Sequence, residues 1–168
     1  MKELCRNKMK AVAVFDKRSV QGIILFTQVG TDVRVDISMT KVPYGNHGLH
    51  IHKSGDLREG CKSLCDHWMD TRDLGPVRSH GGPPPLWHET EDHSGPRHTG
   101  DLGNVNQTTK KRISYRLKNV LVQDVLGRSV VLHADADDYG LGHFDDSLST
   151  GHSGSRIACA IIGRVECA

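Results

Sequence analysis

No apolar run in the 168 residues approaches the roughly 20 residues that a membrane-spanning helix needs, so no membrane partner is expected. The stretch Met1–Lys10 is charged and lacks the apolar core of a secretory leader, which makes a cytoplasmic location the expectation. A charge imbalance is also missing. The formal net charge is +2, and short clusters such as Lys110-Lys111-Arg112 read as turns, so nothing demands nucleic acid. Aromatic residues make up only 5%, and no stretch shows a convincing amphipathic helical period, which argues against a helical bundle. There is no Cys-x-x-Cys pair. The five cysteines (Cys5, Cys61, Cys65, Cys159, Cys167) are an odd number, and by residue type alone they read as free thiols in a reducing compartment.

What the chain does have is glycine, 18 in all, and short stretches of strand character. Lys10–Phe15, Val20–Val29 with a bulge at Gly22, Asp32–Lys41 with clean alternation, and the segment around His50 form the first set. Arg112–Leu117, Asn119–Gln123, Ser129–His133 and Arg156–Val165 form the second. These are eight short strands, which predicts an all-β antiparallel sandwich or barrel in a single domain over residues 1–168. Two long loops interrupt them, at about 54–101 and about 134–155. Loops of such length are usually functional or disordered, and both carry candidate ligands.

The chemistry sits in the histidines. In Gly48-Leu49-His50-Ile51-His52, a strand period of 2 puts both imidazoles on one face and Leu49 and Ile51 on the other. By itself this pattern arises by chance in a chain with 11 histidines. His67, His80, His98 with Asp101, and His133 with Asp137 follow at spacings that suit two adjacent metal ions.

Taken in order, several segments make the chain similar to the copper/zinc superoxide dismutases over nearly its whole length. They are Val20-Gln21-Gly22-Ile23-Ile24, His47-Gly48-Leu49-His50-Ile51-His52, Gly60-Cys61, Ser79-His80-Gly81-Gly82-Pro83, Arg97–Val105, Val130-Val131-Leu132-His133 and Gly154–Cys159. The resemblance implies an eight-stranded Greek-key barrel that converts superoxide to dioxygen and hydrogen peroxide. It implies copper on His50, His52, His67 and His133, and zinc on His67, His80, His98 and Asp101, with His67 bridging. It further implies Asp137 as the carboxylate joining His50 to His80, Arg156 as the anion-docking residue, and a disulfide between Cys61 and Cys159. A homodimer is implied, and a copper chaperone is a partner the sequence does not require. A non-catalytic copper/zinc-binding or copper-delivery module on the same fold is the alternative.

The chain departs from that pattern in three places. His67 to His80 and His80 to His98 are longer than usual, with additions near Asp70–Val77 and Pro84–Gly95 that are expected to bulge outward, leaving His88 and His93 solvated. Asp135 and Ser149 stand where the family typically places channel lysines, so weaker anion steering is expected, partly offset by Lys62. Arg164 puts a charge near the expected dimer contact, and Cys65 stands close enough in sequence to compete for the disulfide.

Overall fold

A computed structural model describes residues 9–70, 79–89, 91, 95–107 and 112–166. Cys5, Cys167, His93, Lys110, Lys111 and the addition over 71–77 therefore lie outside the described residues. The strands are β1 (Lys10–Asp16), β2 (Gln21–Val29), β3 (Asp32–Lys41), β4 (His47–His52), β5 (Asp101–Val105), β6 (Ile113–Leu117), β7 (Ser129–His133), β8 (Arg156–Ile161) and β9 (Gly163–Val165). They form two antiparallel sheets, one in the order β6-β3-β2-β1-β9 and the other β5-β4-β7-β8.

Alternation builds the core. Ala11, Ala13 and Phe15 of β1, Ile24 and Phe26 of β2, and Val33, Val35 and Ile37 of β3 face inward and are buried. Leu49 and Ile51 of β4 and Val130 and Leu132 of β7 meet them from the other sheet. The bulge expected at Gly22 is present as a register shift between Gln21 and Gly22.

Among the described residues the strands number nine rather than eight, for three local reasons. Asn119–Gln123 is not a strand: Asn119 takes a left-handed φ of 55°, and Val122–Val125 close one helical turn in which Asp124 accepts the Leu121 N–H at 2.7 Å. Asp101–Val105, which begins where the first long loop ends and is absent from the expected strands, pairs with β4. Its alternation was invisible because both faces are covered, so its Asp101, Leu102 and Val105 are all buried. The C-terminal run breaks at Ile162, after which β9 leaves β7 and β8 and pairs with β1 in the other sheet.

Over Pro84–Trp87 the addition packs against the sheet instead of bulging outward, while His88, Glu91 and Gly95 are exposed. Leu86 forms an antiparallel bridge with Tyr115, and Trp87 lies under the Arg116 guanidinium, 4.2 Å from its carbon to the ring centre. An edge strand exposes unpaired amides and carbonyls, and β6 takes this segment as its neighbour. His88 is exposed, as expected.

Candidate metal centre

Strand β4 supplies the first two imidazoles. Leu49 and Ile51 are tied into the core, so His50 and His52 are held on the opposite face, both fully buried beneath the two long loops. β7 runs antiparallel beside β4 and ends in His133. His67, just beyond the turn that follows Cys61, bridges back to His52. Four ligand atoms from His50, His52, His67 and His133 lie within 4.8 Å of one another, and those of His50, His67, His80 and Asp101 form a second such group. His67 belongs to both groups. Its ring centre is 4.0 Å from that of His50, 4.9 Å from His52 and 5.4 Å from His80.

Tautomers show what the arrangement can hold. Nδ1–H of His52 donates to the Cys65 carbonyl at 2.8 Å, and Nδ1–H of His133 donates to the Gly154 carbonyl at 3.1 Å. A neutral imidazole with its proton on Nδ1 has a bare lone pair on Nε2. The two Nε2 atoms nevertheless face each other at 3.2 Å. Two lone pairs so placed repel unless a cation lies between them. His50 is reversed: Nε2–H donates to Asp137 Oδ2 at 2.7 Å, and its buried Nδ1 has no hydrogen-bond partner. Nδ1 of His80 and of His98 are likewise buried without a hydrogen bond. A buried polar atom without a hydrogen bond is costly, and these three nitrogens all belong to the histidine cluster, two of them facing the Asp101 carboxylate.

Asp101 gathers the second group. Its carboxylate lies 3.2 Å from His67 Nδ1, 3.1 Å from His80 Nδ1 and 3.7 Å from His98 Nδ1. His98 thus sits at the margin of the tight group, and His50 lies within it. Asp137 joins the two groups, taking His50 on one oxygen and His80 on the other at 2.6 Å. Gly151, at φ 67°, makes room: a Cβ there would come within 2.3 Å of both His80 Nε2 and Asp137 Oδ1.

The electrostatics follow from burial. Burial, then the neighbouring His67, pushes His50 down to about 3 and His52 to about 2. His133 falls to about 4, chiefly through burial. Burial also lowers His67. Lone pairs are thereby kept available for a metal at neutral pH. His80 is the exception. Burial opposes its charge, but Asp101 and Asp137 outweigh it and raise the ring to about 9. In the absence of metal, a proton on His80 takes the place of a cation between two carboxylates. Those carboxylates are held below the usual range by their histidines, against the effect of burial.

The imidazoles open onto a cavity of about 820 Å³ lined by His52, His67, His98, His133, Met69 and Ser149, among others. Among the described residues its charged rim has Lys53 and Arg156 against Asp66 and Asp146, two of each sign. Arg156 donates to the carbonyls of Cys61 (2.8 Å), Lys62 (3.2 Å) and Cys65 (2.6 Å). Asp135 is exposed and is not among the cavity's lining residues, and neither is Lys62. The Cys61–Cys159 disulfide is present, and Cys65 is an exposed free thiol.

Three contributors were missed by reading the sequence. His47 donates from Nδ1 to the His133 carbonyl at 2.9 Å and is buried. Its period-2 phase with Leu49 and Ile51 was the available signal. Asn104 grips Asp137 by both its N–H and its carbonyl, at 2.7 and 2.9 Å. The Cys65 carbonyl links His52 to Arg156, and its residue sits at a left-handed φ of 60°; no residue pattern announces either.

The family model described as copper/zinc superoxide dismutase (SODC) matches residues 20–162. The chain is 35% identical to a superoxide dismutase [Cu-Zn] of Paramecium bursaria Chlorella virus 1, over 92% of this chain and 78% of that one. It is 37% identical to the copper chaperone for superoxide dismutase of Rattus norvegicus, over 95% of this chain, which spans about half (54%) of that relative's length. Among solved structures it is similar to the clock protein EA4, with a TM-score of 0.76, 36% identity, and 93% and 94% of the two chains covered.

Proposed function

The chain belongs to the copper/zinc superoxide dismutase family, and from that premise we propose that it is itself a superoxide dismutase, consuming two superoxide ions and two protons to yield dioxygen and hydrogen peroxide. Copper would be held by His50, His52, His67 and His133, and zinc by His67, His80, His98 and Asp101. The observation that carries this reading is the facing lone pairs of His52 and His133, with Arg156 opening onto the same cavity. When bound, copper would supply a one-electron cycle between two valences, and zinc a fixed positive charge.

The chain's own groups supply the rest. Arg156 has five N–H donors, three of which serve carbonyls, so the guanidinium is fixed in place with donors left for an anion. His67 is flanked on Nδ1 by Asp101, which leaves Nε2 as the nitrogen that takes and returns a proton. Burial keeps that ring a weak base, so the proton is readily given to the departing peroxide. Asp137 fixes the orientation of His50 and His80 together. The reading includes a homodimer through the patch at Ile161, Arg164 and Val165, of which Arg164 and Val165 are exposed.

Metal analysis after loading tests the proposal. About one copper and one zinc per chain, with superoxide consumption, is the expected result. His133→Ala should lose copper by more than the roughly 10–100-fold typical of outer-shell changes, and the activity with it. A chain that takes up zinc alone after copper loading would instead be the non-catalytic or copper-delivery module, the second reading that the likeness to the copper chaperone favours.

The rim gives a further expectation. With two charges of each sign among the described lining residues, the rate should fall only gently as ionic strength rises from about 0.01 to 0.15 M. Ser149→Lys should raise the low-salt rate severalfold and steepen that fall. A steep fall in the unsubstituted protein would contradict weak steering.

A further inference from the structure

Outside the metal centre, the least conventional contact network lies where the two sheets fail to meet. β5 is the last strand of one sheet and β6 the last of the other. The segment that follows His80 crosses between them. Pro83 rests on Gly103 of β5, where a Cβ would come within 2.9 Å of the proline ring and where φ is 79°. Pro84 and Pro85 are buried. The Pro85 carbonyl then accepts the Arg116 N–H at 2.9 Å, and the Trp87 N–H donates to the Ser114 carbonyl at 2.7 Å, extending the sheet beyond β6. Arg116 completes the hold from its side chain. Its guanidinium stacks on Trp87, donates from Nη2 to the Trp87 carbonyl at 2.7 Å, and pairs through Nη1 with Asp32 at 3.0 Å.

Three successive prolines have φ fixed and little freedom to lose, so they act as a stiff strut between the two strands. The strut's near end is the metal centre. His80 is followed at once by Gly81, whose N–H donates to Asp101 Oδ2 at 3.3 Å, and Asp101 begins β5. We propose that Pro83–Trp87 is a clasp across the β5–β6 seam, anchored by Trp87 on Arg116, that positions His80 and Asp101 for a divalent cation before the cation binds. Trp87 and Arg116 are positioning residues. They act through the proline strut, which fixes the loop entropy that zinc would otherwise have to overcome on binding. The inference rests on the zinc reading above for its ligand, but the clasp itself is a property of the metal-stripped chain.

Two measurements on the full chain decide it. In chelator-treated protein, Trp87→Ala should speed amide exchange at Gly81 and at the start of β5 about tenfold, while amides of the β1–β2 pair keep their rates. Zinc titrated against a chromophoric chelator should bind about tenfold more weakly, as for other outer-shell losses. Trp87→Phe, which keeps a ring face for the guanidinium, should restore most of both. Arg116→Lys, a milder change, keeps the charge opposite Asp32 but not the planar stack, and should fall between. Wild-type exchange at Gly81 and wild-type zinc affinity in both Trp87→Ala and Arg116→Lys, with only β6 amides or solubility altered, would overturn the proposal and leave the segment as a cover for a sheet edge. If the unsubstituted chain takes up no zinc, the functional reading fails, and the exchange rates still decide the clasp.

Discussion

Cys159→Ser should lower the stability of the chain by about 4–5 kcal/mol, a large share of the roughly 5–15 kcal/mol that holds a domain of this size together. The bond closes a separation of 98 residues. A cross-link over so long a loop removes much of the entropy of the unfolded chain, and the cost of losing it grows only slowly beyond that length. The damage should also reach the metal centre. Cys61 lies in the short turn Gly60–Ser63, which the disulfide fastens to β8, and Arg156 at the start of β8 donates to three carbonyls of the same loop. One of these, on Cys65, also orients His52. With the cross-link gone, one guanidinium would carry that attachment, so anion docking and the His52 tautomer should loosen together. Cys159 is the residue to replace because Cys61→Ser would leave Cys65 free to bond with it. Urea unfolding of the variant beside the parent, and of the parent with and without reductant, measures the effect. A loss under about 1 kcal/mol would mean that the Arg156 contacts already hold the loop, and that the disulfide adds little.

How far the residues alone reach is best seen by comparing Asp137 with Asn104. Asp137 was legible because a carboxylate in a loop with many candidate ligands has a recognisable role once the family pattern is seen. The residue that holds it, Asn104, was not, because an amide gripping a backbone from a strand leaves no spacing rule. The same division runs through the fold. β1 to β3 alternate, because one face meets the core and the other meets water. In β4, β5 and β7 nearly every residue is buried, since the metal centre covers the face opposite the core, and periodicity fades there. β5 was missed for that reason. The strand expected at Asn119–Gln123 failed for the opposite one. A short run of apolar residues satisfies a helical turn as well as a strand, and Asp124 capping Leu121 decides in favour of the turn. Where Pro84–Trp87 would go was beyond sequence reasoning altogether, because nothing in the order of residues shows that two sheet edges leave a seam for it.

Acid should unfold the metal-stripped protein at a pH that the loaded protein survives. The sign follows from the imidazoles pushed down from 6.5, three of them far, His133 to about 4, His50 to about 3 and His52 to about 2, with His67 lowered as well. As the pH drops below about 6.5 the unfolded chain takes up protons on these residues and the folded chain does not, so stability falls with falling pH. Each such group contributes at most about 1.4 kcal/mol per pH unit, and three together about 4. Two units of acidification would then exhaust a domain of ordinary stability. Asp101 and Asp137, depressed by their histidines, add to the loss only once the pH nears the ordinary carboxylate range. His80 acts in the other direction. Raised to about 9 by its two carboxylates, it contributes stability that is complete below 6.5 and disappears as the pH climbs through about 9. The stripped chain should therefore be most stable near neutrality and weaken on both sides, more steeply on the acid side. Bound metal competes with protons for the same lone pairs, so loading should move the acid limb to lower pH. Urea midpoints from pH 8 to 4, with chelator and with both metals, read this directly. A flat profile in chelator between about 6.5 and 4.5 would show that the rings titrate as free imidazoles, and hence that the closed cluster of lone pairs does not exist until metal assembles it.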